Sequence, residues 1–549
     1  MSALMGQMMQ MPLLISSLVQ HAARHSGDTE IVSKRVEGDI HRTTWAGVER
    51  RSRQLAQAFD RLGCAAGDRI GTLAWNGYRH LEIYYGASGS GRVCHTINPR
   101  LFPEQIVWIA NDAADTVLMF DLNFLPLIEK IAPELKTVKH FVLMTDRAHM
   151  PAASTLPNLL CYEELVEAEN GDYRWPQFDE NTASSICYTS GTTGHPKGAV
   201  YSHRSSLLHA YASALPDAMN CSTRDVILPV VPMFHVNAWG LPYSAALVGC
   251  KLVFPGPHLD GKSLFELFEN EKVTFSAGVP TVWLGLLTYM KANQLKFSSF
   301  KRTVIGGAAC PPAMMKTLQD DFGVEVIHAW GMTELSPLGT LSKLMSKHDT
   351  LDKDAQQRLL EKQGRVIYGI DMAITDDDGH ALPWDGQATG NLVVKGGWVI
   401  SSYFGRAESP LISVDGDPGW FPTGDVASID PDGFMQITDR SKDVIKSGGE
   451  WISSIDLENI AMAHPAVHEA AAIACKHPKW DERPMLVVVL KPGASATRED
   501  ILGFFDGRIA KWQIPDDVVF TADIPHTATG KIQKLKLREQ FKDHQLPAA

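Results

Sequence analysis

The sequence predicts an α/β protein in which a large N-terminal domain of helix-covered sheets, plus a small β-barrel, precedes a small α+β C-terminal domain. Three observations support that prediction. The chain has 549 residues, more than one hydrophobic core usually serves. Short β-rich runs alternate with helical stretches through the central region, the pattern of parallel sheets covered by helices. After about residue 363 the texture shifts to short strands punctuated by Gly, Pro and Asp, and it shifts again near residue 441.

The elements follow in chain order. Residues 1–19 are apolar and rich in methionine. They lack the basic leader and small-residue cleavage site of a signal peptide, and the apolar run is too short to span a bilayer. Residues 13–24 therefore read as an amphipathic helix docked on its own domain, with membrane association the weaker alternative. Strand-like runs fall at 225–231, 251–254, 273–277, 302–305 and 324–328, interleaved with helix-like segments at 263–270, 280–293 and 311–322. The last of these opens on Pro311-Pro312, and proline suits a first helical turn. Runs at 391–395, 420–429 and 434–437 read as a small antiparallel sheet or barrel. Helix-like 455–464 and 498–511, around strand-like 469–474 and 485–490, make up the last domain. The boundary is placed near Arg440, giving domains 1–440 and 441–549.

Composition narrows the function. An apolar fraction of 44% and a charged fraction of 21% are ordinary for a globular protein, so disordered and fibrous classes are set aside. The formal net charge of −12 repels nucleic acid and anionic membrane, so neither is an expected partner, and stable membrane insertion is not expected. The eight cysteines form no CxxC pair, which argues against a zinc site or disulfide framework and suits the reduced cytoplasm.

The most informative stretch is Tyr188-Thr189-Ser190-Gly191-Thr192-Thr193-Gly194-His195-Pro196-Lys197-Gly198, between strand-like 183–187 and 199–202. Its three glycines let backbone N–H groups approach an anion, and four hydroxyls and an ammonium add donors. That is the chemistry a triphosphate requires. A polar hairpin loop is the plain alternative. A Walker A loop would need Ser or Thr after the lysine and then a helix; Gly198 and a strand-like run follow instead, which disfavours a P-loop NTPase or kinase.

On this loop and the motifs that follow it in order, the chain resembles the adenylate-forming superfamily of acyl-coenzyme A synthetases, carrier-protein adenylation domains and luciferases. The resemblance covers essentially the whole chain. It is closest to bacterial medium- and long-chain fatty-acyl-coenzyme A synthetases, and similar scaffolds serve short acids such as 3-methylmercaptopropionate. It implies ATP, magnesium and coenzyme A as co-substrates of a carboxylic acid. Thr189, Ser190, Gly191, Thr192, Thr193, Gly194 and Lys197 would hold the triphosphate. In His328-Ala329-Trp330-Gly331-Met332-Thr333-Glu334, Trp330 replaces the family's usual tyrosine beside the adenine, Thr333 would donate to phosphate, and Glu334 with Thr189 would hold magnesium. A Thr-Glu pair alone could equally cap a helix.

In Thr423-Gly424-Asp425, the resemblance assigns Asp425 to the ribose hydroxyls. Arg440 would reach the ribose or α-phosphate, and Lys442 would occupy the hinge about which a mobile C-terminal domain pivots. Lys446, Gly448, Gly449, Glu450 and Trp451 would face coenzyme A or the nucleotide in the second step. Lys531, after Pro525-His526-Thr527-Ala528-Thr529-Gly530, matches the family's catalytic lysine, which offsets charge on the α-phosphate during adenylation. His235 and Trp239 resemble acyl-site residues, with Trp239 at the mouth of an acyl tunnel, and Gly306-Gly307 would wall the carboxylate from the nucleotide. Plain core packing is the alternative for His235 and Trp239. The resemblance also implies a homodimer.

Overall fold

The computed structural model describes residues 4–189, 195–440, 442–447, 450–526 and 532–547, with backbone only at 450 and 451. Their strands form four sheets. The first has seven strands in the spatial order Leu160–Cys161, His140–Leu143, Asp115–Phe120, Arg69–Leu73, Val93–Thr96, Ala183–Tyr188 and Gly198–Ser202. Its pairings are parallel except the last, so Ala183–Tyr188 and Gly198–Ser202 make an antiparallel hairpin at the sheet edge. The centre reads as continuous apolar runs because both faces are covered; every residue of Asp115–Phe120 is buried.

The second sheet has nine strands, ordered Arg365–Val366, Leu338–Leu341, Glu325–Gly331, Arg302–Ile305, Phe275–Gly278, Val226–Pro229, Lys251–Phe254, Glu30–Lys34 and Ile40–Thr44. The five strands expected from the sequence lie side by side and parallel in its middle. Glu30–Lys34 adds a sixth parallel strand from far upstream. Helices Gly261–Asn270 and Pro280–Ala292 cover one face, packing Leu264, Phe268, Trp283, Leu286 and Met290 into a shared core. The helix expected over 311–322 is α-helical only over Pro312–Lys316 and continues as a π-turn over Thr317–Asp321.

Helix Ile15–His25 packs on helices Trp45–Arg61, Leu241–Val248 and Tyr78–Gly89, burying Ile15, Leu18, Val19 and Ala22. The Ile15 N–H donates to His203 Nδ1, 3.1 Å away, which satisfies one of the donors a helix start leaves over. Residues 4–11 ahead of it are exposed. The chain contains no described helix long and apolar enough to cross a membrane, and all eight cysteines are buried and unbonded.

The third sheet is the antiparallel unit expected after residue 363. Ile370–Thr375, Thr389–Gly396 and Asp417–Ile429 form a ladder, and both Ile412–Val414 and Met435–Arg440 pair with Asp417–Ile429. The fourth contains Glu450–Ile452, Ile445–Ser447, Asp481–Leu490, Val467–His477 and Asp517–Phe520, backed by helix Ser454–Met462. One expectation needs correction here. The helix placed over 498–511 spans only Arg498–Gly503, and beyond it Gly507 takes a left-handed φ of 72° that interrupts helical continuation.

Candidate active site

The glycine- and hydroxyl-rich loop joins the two edge strands Ala183–Tyr188 and Gly198–Ser202. Its base is pinched shut: the Thr189 N–H donates to the Lys197 carbonyl at 2.9 Å, and the Lys197 N–H donates to Thr189 Oγ1 at 3.3 Å. Ser190, Gly191, Thr192, Thr193 and Gly194 lie outside the described residues. At the loop's far shoulder, the His195 ring stacks on Trp108 with centroids 4.7 Å apart and an interplanar angle of 5°. The Tyr188 hydroxyl donates to Asp112 at 2.7 Å.

Strand Glu325–Gly331 of the neighbouring sheet carries His328, Ala329 and Trp330, and a short 3-10 turn, Thr333–Leu335, follows it. The two sheets are clasped here: the Tyr201 hydroxyl, on the outgoing strand of the loop, donates to the Thr333 carbonyl at 2.6 Å. Glu334 is buried at 7% exposure, and its Oε1 accepts from the Tyr403 hydroxyl at 2.7 Å. Its carbonyl accepts from the Ile400 N–H at 2.9 Å.

Asp425, on the long strand Asp417–Ile429, is held from two sides. Trp330 Nε1–H donates to Oδ2 at 2.9 Å, and Arg440 Nε lies 2.8 Å from Oδ1. Arg440 arrives by register, because it pairs with Asp425 across the ladder. His328 is sequestered. Its Nε2 accepts from the Cys310 N–H at 3.1 Å, so Nδ1 carries the proton and donates to the Glu361 carbonyl at 2.8 Å. Burial lowers its pKa to about 4, so the ring is neutral at pH 7. Its side chain braces the 306–310 loop, and both nitrogens are already engaged by backbone.

Gly306 and Gly307 are required by space and backbone. A Cβ on Gly306 would lie 2.8 Å from the Ala329 carbonyl oxygen. Gly307 has φ 78°, and a Cβ there would sit 3.1 Å from Val279 and 3.7 Å from the Trp239 ring. The structure therefore gathers Gly306, Gly307, Ala329 and Trp239. Trp239 ends a turn in which Val236, Asn237, Ala238 and Trp239 all have φ between 47° and 55°. Left-handed backbone is costly for non-glycine residues and persists only where surroundings over-determine it. Here Asn76 Nδ2 donates to Pro229 and Val231 carbonyls at 2.8 and 3.0 Å, and Asn76 Oδ1 accepts from the Met233 N–H at 2.6 Å. Asn237 Nδ2 donates to Ser185 Oγ, 2.9 Å away on the strand that enters the glycine- and hydroxyl-rich loop. His235, at the head of this turn, is half-buried.

The chain continues from Arg440 into the C-terminal sheet. Lys442 is exposed, and its carbonyl accepts from Arg538 Nη1 at 2.9 Å. The Lys446 N–H donates to Glu482 at 2.8 Å, and Lys446 pairs with Trp451 in register. Gly448, Gly449 and Lys531 lie outside the described residues, as do the side chains of Glu450 and Trp451. The flanks of position 531 are fixed: His526 bridges Ile532, and His526 Nε2 sits 2.7 Å from Glu469. Tyr201 and Tyr403, which the sequence reading did not single out, are the side chains that tie the loop to Glu334. No local pattern marks either of them.

Residues 18–404 match the family described as AMP-binding enzyme, and residues 456–531 match the AMP-binding enzyme C-terminal domain. The chain belongs to the AMP-binding enzyme family. It is 55% identical over 540 residues to a 3-methylmercaptopropionyl-CoA ligase of Ruegeria lacuscaerulensis, covering 98% of this chain and 99% of that one. It is 52% identical over 540 residues to a medium-chain-fatty-acid–CoA ligase of Ectopseudomonas oleovorans, covering 98% of each. Its fold is similar to that of an anthranilate CoA ligase solved with anthranoyl-AMP, with a TM-score of 0.85 at 24% identity over 97% of this chain and 98% of that one. In this AMP-binding enzyme Tyr201 ties the strand leaving the loop to the Thr333–Glu334 turn, and Trp330 just before that turn is bonded to Asp425.

Proposed function

We propose that this chain is an AMP-forming carboxylate–coenzyme A ligase. It activates a carboxylic acid with ATP to an acyl-adenylate, releases pyrophosphate, and then forms the coenzyme A thioester. The observation that supports this reading is the clasp from Tyr201 to Thr333, which ties the strand leaving a loop of phosphate-binding composition to the turn that carries a buried carboxylate. The donor set suits magnesium. Thr189 and Glu334 offer hard oxygen ligands, and the Glu334 carboxylate is bonded to a neutral phenol, which leaves its charge available to a cation. Magnesium held there supplies charge neutralisation at the triphosphate.

The protein's own groups divide the remaining work. The loop 189–197 grips the phosphates through N–H groups, hydroxyls and the Lys197 ammonium. Asp425 accepts from the ribose hydroxyls, Arg440 stands by the ribose or α-phosphate, and Trp330 lays its face beside the adenine. The acyl group lies by His235 and Trp239, with Gly306-Gly307 separating it from the nucleotide. The substrate carboxylate attacks the α-phosphorus in line while Lys531 offsets the growing charge, so positioning and electrostatics supply most of the rate. For the second step, the segment after Arg440 pivots at Lys442. Lys531 withdraws, Lys446 and the Gly448–Trp451 face approach, and the thiol attacks the mixed anhydride to release AMP.

The acid is a fatty acid of short or medium to long chain. The 55% identity to a relative named for 3-methylmercaptopropionate favours a short acid of that kind as the second reading. A methylene shifts discrimination by only about 1 kcal/mol, so a panel of acids is the test of substrate. The eight buried, unbonded cysteines support a cytoplasmic location.

The deciding experiment incubates the protein with ATP, magnesium and acids from 3-methylmercaptopropionate to long-chain fatty acids, with and without coenzyme A. The expected result is acid-dependent AMP formation that requires coenzyme A. Acid-dependent pyrophosphate exchange with no thioester would point to transfer onto a carrier protein, and no exchange with any acid would point to a silent AMP- or acyl-binding protein. Lys531→Ala is expected to abolish adenylation largely while sparing thioester formation from preformed acyl-adenylate; equal loss of both steps overturns its assigned role.

A further inference from the structure

We propose that Tyr403 is a positioning residue that fixes the Glu334 carboxylate and the Lys197 ammonium together for a magnesium–nucleotide triphosphate. The proposal rests on the ligase reading above. Residues 398–406 follow strand Thr389–Gly396 without forming regular structure before strand Ile412–Val414. They act as a strap across the junction of the two large sheets. The Trp398 indole N–H donates to the Leu338 carbonyl at 2.9 Å, and the Ser336 hydroxyl donates to the Trp398 carbonyl at 3.0 Å. The Ile400 N–H donates to the Glu334 carbonyl at 2.9 Å, and the Phe404 N–H donates to the Gly198 carbonyl at 2.8 Å. One end of the strap is thus tied to the Glu334 turn and the other to the strand leaving the phosphate loop.

Tyr403 uses both of its chemical faces between those ties. Its hydroxyl donates to Glu334 Oε1 at 2.7 Å, and Lys197 Nζ lies 4.9 Å from its ring centroid. A carboxylate on a long side chain has many rotamers, and a donor on one oxygen fixes which way the other oxygen points. A lysine ammonium is a point charge on a four-carbon stem, and an aromatic face within about 6 Å restrains it without neutralising it. The two groups form no ion pair among the described residues. Tyr403 therefore orders a negative group for a cation and a positive group for a phosphate while leaving both charges unspent. It acts through Glu334 and Lys197, so its effect belongs in magnesium and ATP dependence rather than in acid selectivity.

Two variants of the full-length protein separate the two faces. Tyr403→Phe keeps the ring and removes the hydroxyl; Tyr403→Leu removes both. The readout is acid-dependent pyrophosphate–ATP exchange over a magnesium titration at fixed ATP, and over an ATP titration at saturating magnesium. Tyr403→Phe is expected to raise the magnesium needed for half-maximal rate about tenfold, the scale of losing a hydrogen bond to a charged group. Its KM for ATP at saturating magnesium should stay near wild type. Tyr403→Leu should show the same magnesium shift and, in addition, a KM for ATP raised about threefold, which the phenyl ring of the other variant prevents. The KM for the acid should be unchanged in both. Wild-type magnesium dependence in Tyr403→Phe overturns the proposal. So does an equal fall in kcat and every affinity with a lowered melting temperature, which is the mark of a merely structural side chain. If the wild-type protein itself shows no acid-dependent exchange, the ligase reading fails first, and the two failures are told apart by that control.

Discussion

At the scale of single residues, Asp425 shows how much of a site is set by partners rather than by the group itself. Its two oxygens are engaged by Trp330 and Arg440, so the protein itself orients the carboxylate. Trp330→Phe keeps a flat aromatic face and removes the N–H donor. We expect the KM for ATP to rise about tenfold with kcat changed far less, measured at saturating acid. His328 makes a separate point, because its role is visible in pH dependence. Burial lowers its pKa from the ordinary 6.5 to about 4, so between those values the unfolded chain binds a proton that the folded chain does not. The stability it contributes is complete above pH 6.5 and is lost as pH falls through 4. The stability difference between the wild type and His328→Gln, measured by denaturant unfolding, should therefore be largest near pH 7 and shrink steadily towards pH 4. The motifs at 189–197, 330–334 and 423–425 stand out in the sequence as candidates because each packs unusual residue types into a short span. Tyr201 and Tyr403 were not, since a lone tyrosine gains its meaning only from the distant group it touches.

At the scale of elements, the turn Val236–Trp239 is the least predictable piece of the site. Nothing in Val-Asn-Ala-Trp favours left-handed backbone except Asn237, and four such residues in succession persist because Asn76 and Ser185 hold the loop from outside. Ala238→Gly relieves one strained position and is expected to raise unfolding free energy by about 1 kcal/mol, measured by chemical denaturation. No change or a loss would mean that the turn is not held in that conformation. The five central strands of the nine-stranded sheet were readable because each is a short apolar run bounded by turns. The helix over 498–511 was over-extended, because apolar residues at 502, 505 and 509 keep a helical spacing past Gly503 while the chain turns away near Gly507. The 311–322 segment was correctly read as helical, but its π-turn has no local signature.

At the scale of the whole molecule, the first residues divide into two parts with different roles. Residues 4–11 are exposed, whereas Ile15, Leu18 and Val19 are fully or almost fully buried against three helices of the large domain. Removing residues 1–11 should leave the melting temperature near wild type. Removing residues 1–24 strips Leu14, Ile15, Leu18, Val19 and Ala22 from the core and should cost roughly 5 kcal/mol or more, read as a large drop in melting temperature. The amphipathic pattern foretold that helix, yet not the strand Glu30–Lys34 that completes the central sheet beside Lys251–Phe254 more than 200 residues later in the chain. The sequence by itself determined the family and which residues are candidates for the chemistry, because glycines, hydroxyls, carboxylates and lysines recur there in short fixed spacings. Only the tertiary structure decided how those groups are aimed. Orientation comes from hydrogen bonds such as Tyr201 to Thr333, Tyr403 to Glu334 and Trp330 to Asp425, which join strands and loops remote in the chain and so leave no local pattern to read.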